Sequence, residues 1–198
     1  DSQMSLQPSP RPVPLPVDTE RFPIAENICS VVSNAAVNDR YRHMVLAAPE
    51  PALTARAGQF FHLLCPRTGR DQPFLRRPMS VYRVDAARER IEFLYKPVGA
   101  GTAAMAMLRP GDAFNVLGPL GKGFRLDASW RHIVVLGRGV GLATLAPLAE
   151  LAASMNIGVT AILSVERAEY VMSVSLFEAA GADVVSVTDE DGSSSVEN

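Results

Sequence analysis

Ile133-Val134-Val135-Leu136-Gly137-Arg138-Gly139-Val140-Gly141 is the stretch on which the fold turns. Four apolar residues run without a polar break, the pattern of a strand covered on both faces. They open into a turn with glycine at every second position. Glycine lets backbone N–H groups approach a phosphate, and a strand before and a helix after is the setting such a loop requires. The helix follows at Leu142–Met155, with Leu145, Leu148, Ala149 and Ala152 on one stripe. Leu142 stands where Gly-x-Gly-x-x-Gly would place its last glycine, so the turn reads either as a phosphate loop or as a plain tight turn.

Downstream, a second continuous strand is expected over Val159–Val165, then a helix near Tyr170–Ala180 that Gly181 would close. A third strand candidate is Asp183–Thr188. The order β-α-β-α-β implies a parallel sheet with right-handed crossovers. Three strands and two helices are half of a usual dinucleotide domain, so this unit reads as truncated. Glu166 and Arg167 end the second strand, where a side chain would choose between a ribose 2′-hydroxyl and a 2′-phosphate. An acid favours NAD and an arginine NADP; the two are adjacent, and a solvated strand end is the plain alternative.

Upstream the period is different. From Arg21 to about Pro119 the apolar runs are short and broken by turn residues: Ile28–Val32, Tyr41–Ala47, Gln59–Leu64, Met79–Val84, Ile91–Tyr95 and Ala113–Leu117. Six strands at this spacing, with a helical insertion at Thr102–Leu108 and a polar loop at Pro66–Pro73, predict a closed antiparallel barrel. Two segments of the barrel carry chemistry. In Leu75-Arg76-Arg77-Pro78-Met79-Ser80 a cation, a rigid proline and a hydroxyl sit within four residues. In Tyr95-Lys96-Pro97-Val98-Gly99-Ala100-Gly101-Thr102 an apolar run opens into a Gly-x-Gly-Thr turn. Arginine pairs with phosphate bidentately and glycines admit a pyrophosphate, so a flat, anionic, partly apolar ligand fits here. Phosphate-type turns on two kinds of scaffold point to two nucleotides.

Composition narrows the class. The 198 residues are 47% hydrophobic and 20% charged with a net charge of −2, which suits a globular chain and argues against nucleic acid as partner. No run reaches membrane-span length and no signal peptide is visible, so the default compartment is cytoplasmic. Cys29 and Cys65 cannot form a four-cysteine metal site and read as small core residues. Residues 1–20, with prolines at 8, 10, 12, 14 and 16, read as a flexible leader, extended or disordered. The expected organisation is this leader, a barrel over 21–128 and half of a nucleotide-binding domain over 129–198. Gly118-Pro119-Leu120-Gly121-Lys122-Gly123 fails as a triphosphate loop, since Gly123 stands where a magnesium-binding hydroxyl belongs, and reads as the linker turn. His43, His62 and His132 lack metal-ligand spacing, and Ser30, Ser33 and Ser80 lack a nucleophile elbow.

These blocks resemble the electron-transfer subunit family of heteromeric dihydroorotate dehydrogenase, within the wider ferredoxin–NADP reductase-like group. The resemblance runs from about Phe22 to the end. It rests on Gly58-Gln59-Phe60-Phe61-His62, Arg77-Pro78-Met79-Ser80, Leu94-Tyr95-Lys96 with Gly101-Thr102, Val116-Leu117-Gly118-Pro119-Leu120-Gly121, and Thr188-Asp189-Glu190-Asp191-Gly192-Ser193. It implies an FAD-binding barrel in which Arg77 holds the pyrophosphate and Ser80, the catalytic candidate, lies near the reactive flavin edge. Pro78 and Met79 belong to the same segment; Leu94, Tyr95 and Lys96 would line flavin and ribitol, and Gly101 and Thr102 would bind phosphate. Gly137, Gly139 and Gly141 would receive NAD(P)H. Electrons would pass to a partner's flavin through FAD and a 2Fe-2S cluster. Three departures stand out: Met79 replaces the group's frequent tyrosine, Ala143-Thr144 and Arg138 alter the glycine loop, and the family's cluster-binding cysteines are absent. The alternatives are a reductase component of an oxygenase, hydrogenase or NADH:ferredoxin system, and a non-catalytic FAD-binding docking module.

Overall fold

The computed structural model describes residues 24–67 and 73–195; the proline-rich leader and most of the predicted 66–73 loop lie outside these. The first unit is an antiparallel sheet of β1 (Ala25–Ala36), β2 (Arg42–Ala47), β3 (Phe60–Leu63), β4 (Arg77–Ser80), β5 (Arg83–Asp85), β6 (Arg90–Tyr95) and β7 (Ala113–Leu120), in the order β4-β3-β7-β1-β2-β6-β5. Short helices α1 (Glu50–Leu53) and α2 (Ala100–Ala106) connect strands.

The sheet has seven strands, where six are expected, because the run Met79–Val84 is divided between two neighbours. Ser80 pairs with Phe60 on β3, and Arg83 pairs with Glu92 on β6. Between them Val81 N–H donates to Gln59 C=O at 3.0 Å and Tyr82 N–H to Glu92 C=O at 2.9 Å. Two successive amides thus bond toward opposite ends of the sheet, so one segment changes partner. Among the described residues β4 and β5 are not paired with each other, and the sheet is a curled half-barrel where a closed barrel is expected. Gly118-Pro119-Leu120, expected in the linker turn, extends β7 instead. A Cβ at Gly118 would lie 2.5 Å from the Phe61 ring, so only glycine lets this strand pass that side chain.

The second unit is a parallel sheet, β10-β9-β8, of β8 (His132–Arg138), β9 (Gly158–Val165) and β10 (Asp183–Thr188). Helix α3 (Ala146–Ser154) is shorter than the expected Leu142–Met155, and residues 139–144 form a 3₁₀ turn instead. Pro147 explains the break: it lacks an N–H and its ring would strike the carbonyl four residues earlier, so it sits in the first turn of α3. Helix α4 (Val174–Ala179) is likewise trimmed at its start by Ser173, at φ +65, and closed by Gly181, at φ +75.

Val134 and Leu136 are 65% and 66% exposed, so β8 is covered on one face, where the apolar run predicts two. Val135, Ala161 and Leu163 point to the other face and pack with Leu148, Ala149, Ala152 and Phe177 of the two helices. Successive crossovers in the same direction place both helices on one side of the sheet.

Two cores result. Phe61, Leu63, Phe93, Tyr95 and Met44 fill the barrel. The second core is built on the helices and includes three barrel residues, Tyr41, Tyr82 and Leu94. This explains why β6 is buried along nearly its whole length: Ile91, Phe93 and Tyr95 face the barrel interior, while Leu94 faces the second unit. Burial of three large side chains across the seam fixes the two units against each other. No helix among the described residues is long and apolar enough to cross a membrane.

Candidate functional site

The seam carries the polar groups that the sequence singles out. Arg77, on β4, donates from Nη1 to the Leu75 carbonyl at 2.6 Å. The Nε and Nη2 side of its guanidinium faces Gly101 at the start of α2, where a Cβ would lie 3.1 Å from both nitrogens and 2.8 Å from Cys65 Sγ. Glycine at 101 therefore lets the start of α2 pack directly against Cys65 and the Arg77 guanidinium, where a side chain would clash. Gly99 has no heavy atom within 4 Å of its would-be Cβ, so the approach to this turn is open. An arginine fork beside a side-chain-free turn suits a phosphate.

Thr102 serves the turn itself. Its Oγ1 accepts from Val98 N–H at 3.0 Å and Gly99 N–H at 3.2 Å, and donates to Gly99 C=O at 3.1 Å. Leu94 is buried in the seam, and Tyr95 turns into the barrel and donates to Asn34 Oδ1 at 2.9 Å. Of this trio Lys96 is the one that lines the crevice described next. Pro78 is exposed, and Met79 packs its partly buried side chain on the barrel core.

Ser80 ends β4 where the two units meet. Its Oγ accepts a hydrogen bond from Thr144 Oγ1 at 2.9 Å. The glycine loop and the catalytic candidate, far apart in sequence, are thereby in direct contact. The loop's glycines differ in role. A Cβ on Gly137 would lie 2.9 Å from Leu142 Cα, so that glycine permits close strand–helix packing. Gly139, at φ +53, faces the Tyr41 hydroxyl, 2.8 Å from its would-be Cβ, while Gly141 looks onto open space.

A cavity of 280 Å³ lies between the loop and the barrel, lined by Arg40, Tyr41, Lys96, Arg138, Gly139, Val140, Val165, Glu166 and Tyr170. It sits outside the carboxyl ends of β8 and β9, where open α/β sheets take their ligands. Arg40 Nη1 bonds Glu166 Oε2 at 2.5 Å, and Arg138 bonds Asp189 at 2.5 Å and Ser164 at 2.9 Å. Hydrogen bonding from Arg40 holds the Glu166 carboxyl below its ordinary value. The Arg138 and Ser194 side chains push Asp189 down to about 2. Arg167, the other 2′-group candidate, pairs with Glu169 at 2.9 Å and does not line the cavity.

Sequence reading missed Arg40, Tyr41, Tyr82 and Tyr170. Tyr82 Oη meets Ser173 Oγ at 2.5 Å, and Arg83 reaches Glu150 at 3.6 Å, both across the seam. None of these residues lies in a recognisable motif. The signal that was legible was the altered glycine loop at Ala143-Thr144.

A 2Fe-2S cluster does not fit the cysteines of this chain. Cluster ligands are thiolates, whereas burial pushes Cys29 up to about 12 and raises Cys65 as well. Among the described residues no three His, Cys, Asp or Glu side chains converge as a metal site.

No family model matches the chain. It is 35% identical over 148 residues to the dihydroorotate dehydrogenase B (NAD(+)) electron transfer subunit of Desulforamulus reducens, covering 75% of this chain and 56% of that one. The corresponding Geobacillus sp. subunit is 32% identical over 169 residues, covering 84% and 60%. Among solved structures, the Amycolatopsis cytochrome P450 reductase GcoB aligns with a TM-score of 0.72 at 25% identity, over 84% of this chain and 52% of that one. The chain thus spans little more than half the length of the curated relatives it matches.

Proposed function

The chain is homologous to the electron-transfer subunits of dihydroorotate dehydrogenase B, with a ferredoxin–NADP reductase-like fold, and from that premise we propose that it is the flavin- and nucleotide-binding part of an electron-transfer oxidoreductase. The barrel over 21–128 is its FAD domain and 129–198 part of its NAD(P)H domain. The observation that carries this reading is the Arg77 guanidinium packed against the open Gly99–Gly101 turn on one side of the seam and the glycine-loop crevice on the other, joined by the Ser80–Thr144 hydrogen bond.

Arg77 would pair with the FAD pyrophosphate, with Gly99 leaving the approach open and Gly101 letting the turn sit against the guanidinium. Ser80 would present its hydroxyl to the flavin edge, its oxygen already held by Thr144. Lys96, Gly139 and Gly141 would receive the nicotinamide dinucleotide, with Gly137 keeping strand and helix close. Bound FAD would supply the two-electron to one-electron conversion that this task needs; the protein's share is binding and orientation. The buried seam favours this, since hydride transfer is steeply sensitive to positioning.

The partner proposed is a catalytic flavoenzyme subunit of the dihydroorotate dehydrogenase kind, in the cytoplasm. The 25% identity with a cytochrome P450 reductase favours one second reading, a reductase component of an oxygenase.

Titration of the purified chain with FAD and with FMN, read by calorimetry and the visible flavin spectrum, tests the core of the proposal. FAD should bind in one-to-one stoichiometry and FMN at least about tenfold more weakly, because the Arg77–Gly101 site serves a pyrophosphate. Equal affinity for the two flavins would remove the pyrophosphate assignment, and no binding of either would remove the flavoprotein reading. Adding NADPH or NADH with each candidate partner's acceptor then separates the two readings.

A further inference from the structure

We propose that Arg40, reaching from the barrel across the crevice to Glu166, makes the adenosine end of the site accept a 2′-phosphorylated dinucleotide as well as the unphosphorylated one. The inference rests on the crevice being the dinucleotide site.

A carboxylate at the end of the second parallel strand ordinarily accepts a hydrogen bond from the ribose 2′-hydroxyl and repels a 2′-phosphate. Glu166 occupies that position, but its carboxylate is engaged. Arg40 Nη1 lies 2.5 Å from Glu166 Oε2 and Nη2 lies 3.5 Å from Oε1. The arginine is set from beneath by Tyr170, whose ring centroid is 4.2 Å from its guanidinium carbon. Tyr170 is only 4% exposed, so the platform is fixed. Planar guanidinium over an aromatic ring, with donors left at the edge, is an arrangement suited to phosphate.

The remaining charge points the same way. Lys96 and Arg138 line the same cavity, so three cations face one carboxylate there. Arg138 is balanced by Asp189. The Glu166 side chain is 54% exposed and free to turn to water, and an exposed ion pair of this kind costs little to exchange. An arriving 2′-phosphate would therefore take the Arg40 fork in place of Glu166. With a 2′-hydroxyl ligand the ion pair stays, and Glu166 keeps a lone pair for it.

The test is calorimetric binding of ADP-ribose and of 2′-phospho-ADP-ribose to the 198-residue chain. These probes lack nicotinamide and differ from each other only at the adenosine ribose 2′ position, so the difference in their affinities reports that end of the site. The two should bind within about tenfold of each other. Arg40→Ala should weaken the 2′-phosphorylated probe by about tenfold or more while changing ADP-ribose by less than about threefold. Glu166→Gln, at an exposed position that should not affect folding, should strengthen the phosphorylated probe by several-fold on the order expected for removing a like charge; circular dichroism checks the fold of each variant. If ADP-ribose binds but its 2′-phosphorylated form is rejected by more than about a hundredfold, the inference fails and the dinucleotide site stands. An unchanged affinity in Glu166→Gln also overturns the inference. If the chain binds neither probe, the dinucleotide reading falls, and this inference with it.

Discussion

Thr144 donates a hydrogen bond to Ser80 over 2.9 Å, joining the last turn of the glycine loop to the end of β4. The residues are 64 positions apart in sequence. Thr144 is among the departures in the glycine loop, and its hydroxyl is the source of the contact. It fixes the side chain proposed to face flavin from the side proposed to bind nicotinamide.

Thr144→Val should therefore lower stability by about 1 kcal/mol, the net worth of one partly buried hydrogen bond, and Thr144→Ser should stay close to the parent. Urea denaturation of the three proteins checks this. A loss confined to Thr144→Ser would instead assign the effect to the threonine methyl.

Ser80→Ala should keep FAD affinity close to that of the parent, because the pyrophosphate is assigned to Arg77. Flavin reduction by NADH should slow by roughly 10²-fold if the hydroxyl assists at the flavin edge. Stopped-flow bleaching of the flavin band gives the rate directly. A variant that loses flavin but reduces normally once reconstituted would make Ser80 a binding residue.

Arg77→Ala should weaken FAD by about 1.5–3 kcal/mol, the range for a charge-assisted hydrogen bond. Gly101→Val should do the same by a different route. Its Cβ would lie 2.8 Å from Cys65 Sγ and 3.1 Å from the guanidinium, forcing Arg77 aside. Flavin titration and thermal melting together separate the two: loss of affinity with a parent-like melting curve is expected for Arg77→Ala, and loss of both for Gly101→Val.

How much of this was legible in the sequence depended on the distance over which the signal acts. The continuous run at Ile133–Leu136 announced a parallel strand, and the Asp183–Thr188 strand stands where its pattern placed it. The split of Met79–Val84 was not legible, since a change of partner at Val81 and Tyr82 leaves no mark on local alternation. Nor was the bare face of β8, because an apolar run does not state which side a helix will cover. In the site, Arg77 and Gly101 could be paired through the resemblance, but Arg40 and Tyr170 came to the crevice only by folding. Single polar residues in loops, brought together across a seam, carry no period and no spacing.

Thiol chemistry offers a further check. Burial pushes Cys29 up to about 12, and Cys65 is also raised, with the nearby Arg77 opposing weakly. The native chain should react with an aromatic disulfide reagent at neutral pH far more slowly than after unfolding, as thiolate is the reactive form. The same burial predicts that the chain carries no stoichiometric iron after purification under argon. Rapid labelling of either cysteine, or one cluster's worth of iron, would contradict the packing described.

Acid should act on the turn after β10. Asp191 accepts from Ser193 N–H at 2.9 Å, from Ser193 Oγ at 2.5 Å and from Thr188 Oγ1 at 2.8 Å, and these contacts bring it down to about 2. Asp189 is brought to a similar value by Arg138 and Ser194. Both values lie below the ordinary 3.8, so the folded protein binds these protons less readily than the unfolded chain. Such groups stabilise the fold at pH above the unfolded value, and that contribution fades as pH falls from about 4 toward 2. Both carboxylates are exposed, so the effect is modest and salt reduces the Arg138 part. Asp189→Asn and Asp191→Asn should each flatten the pH dependence of the melting temperature between about pH 5 and pH 2. High salt should shrink the difference for Asp189 and leave it for Asp191, whose partners are neutral. Parallel pH profiles for parent and both variants would show that the turn does not carry the acid sensitivity.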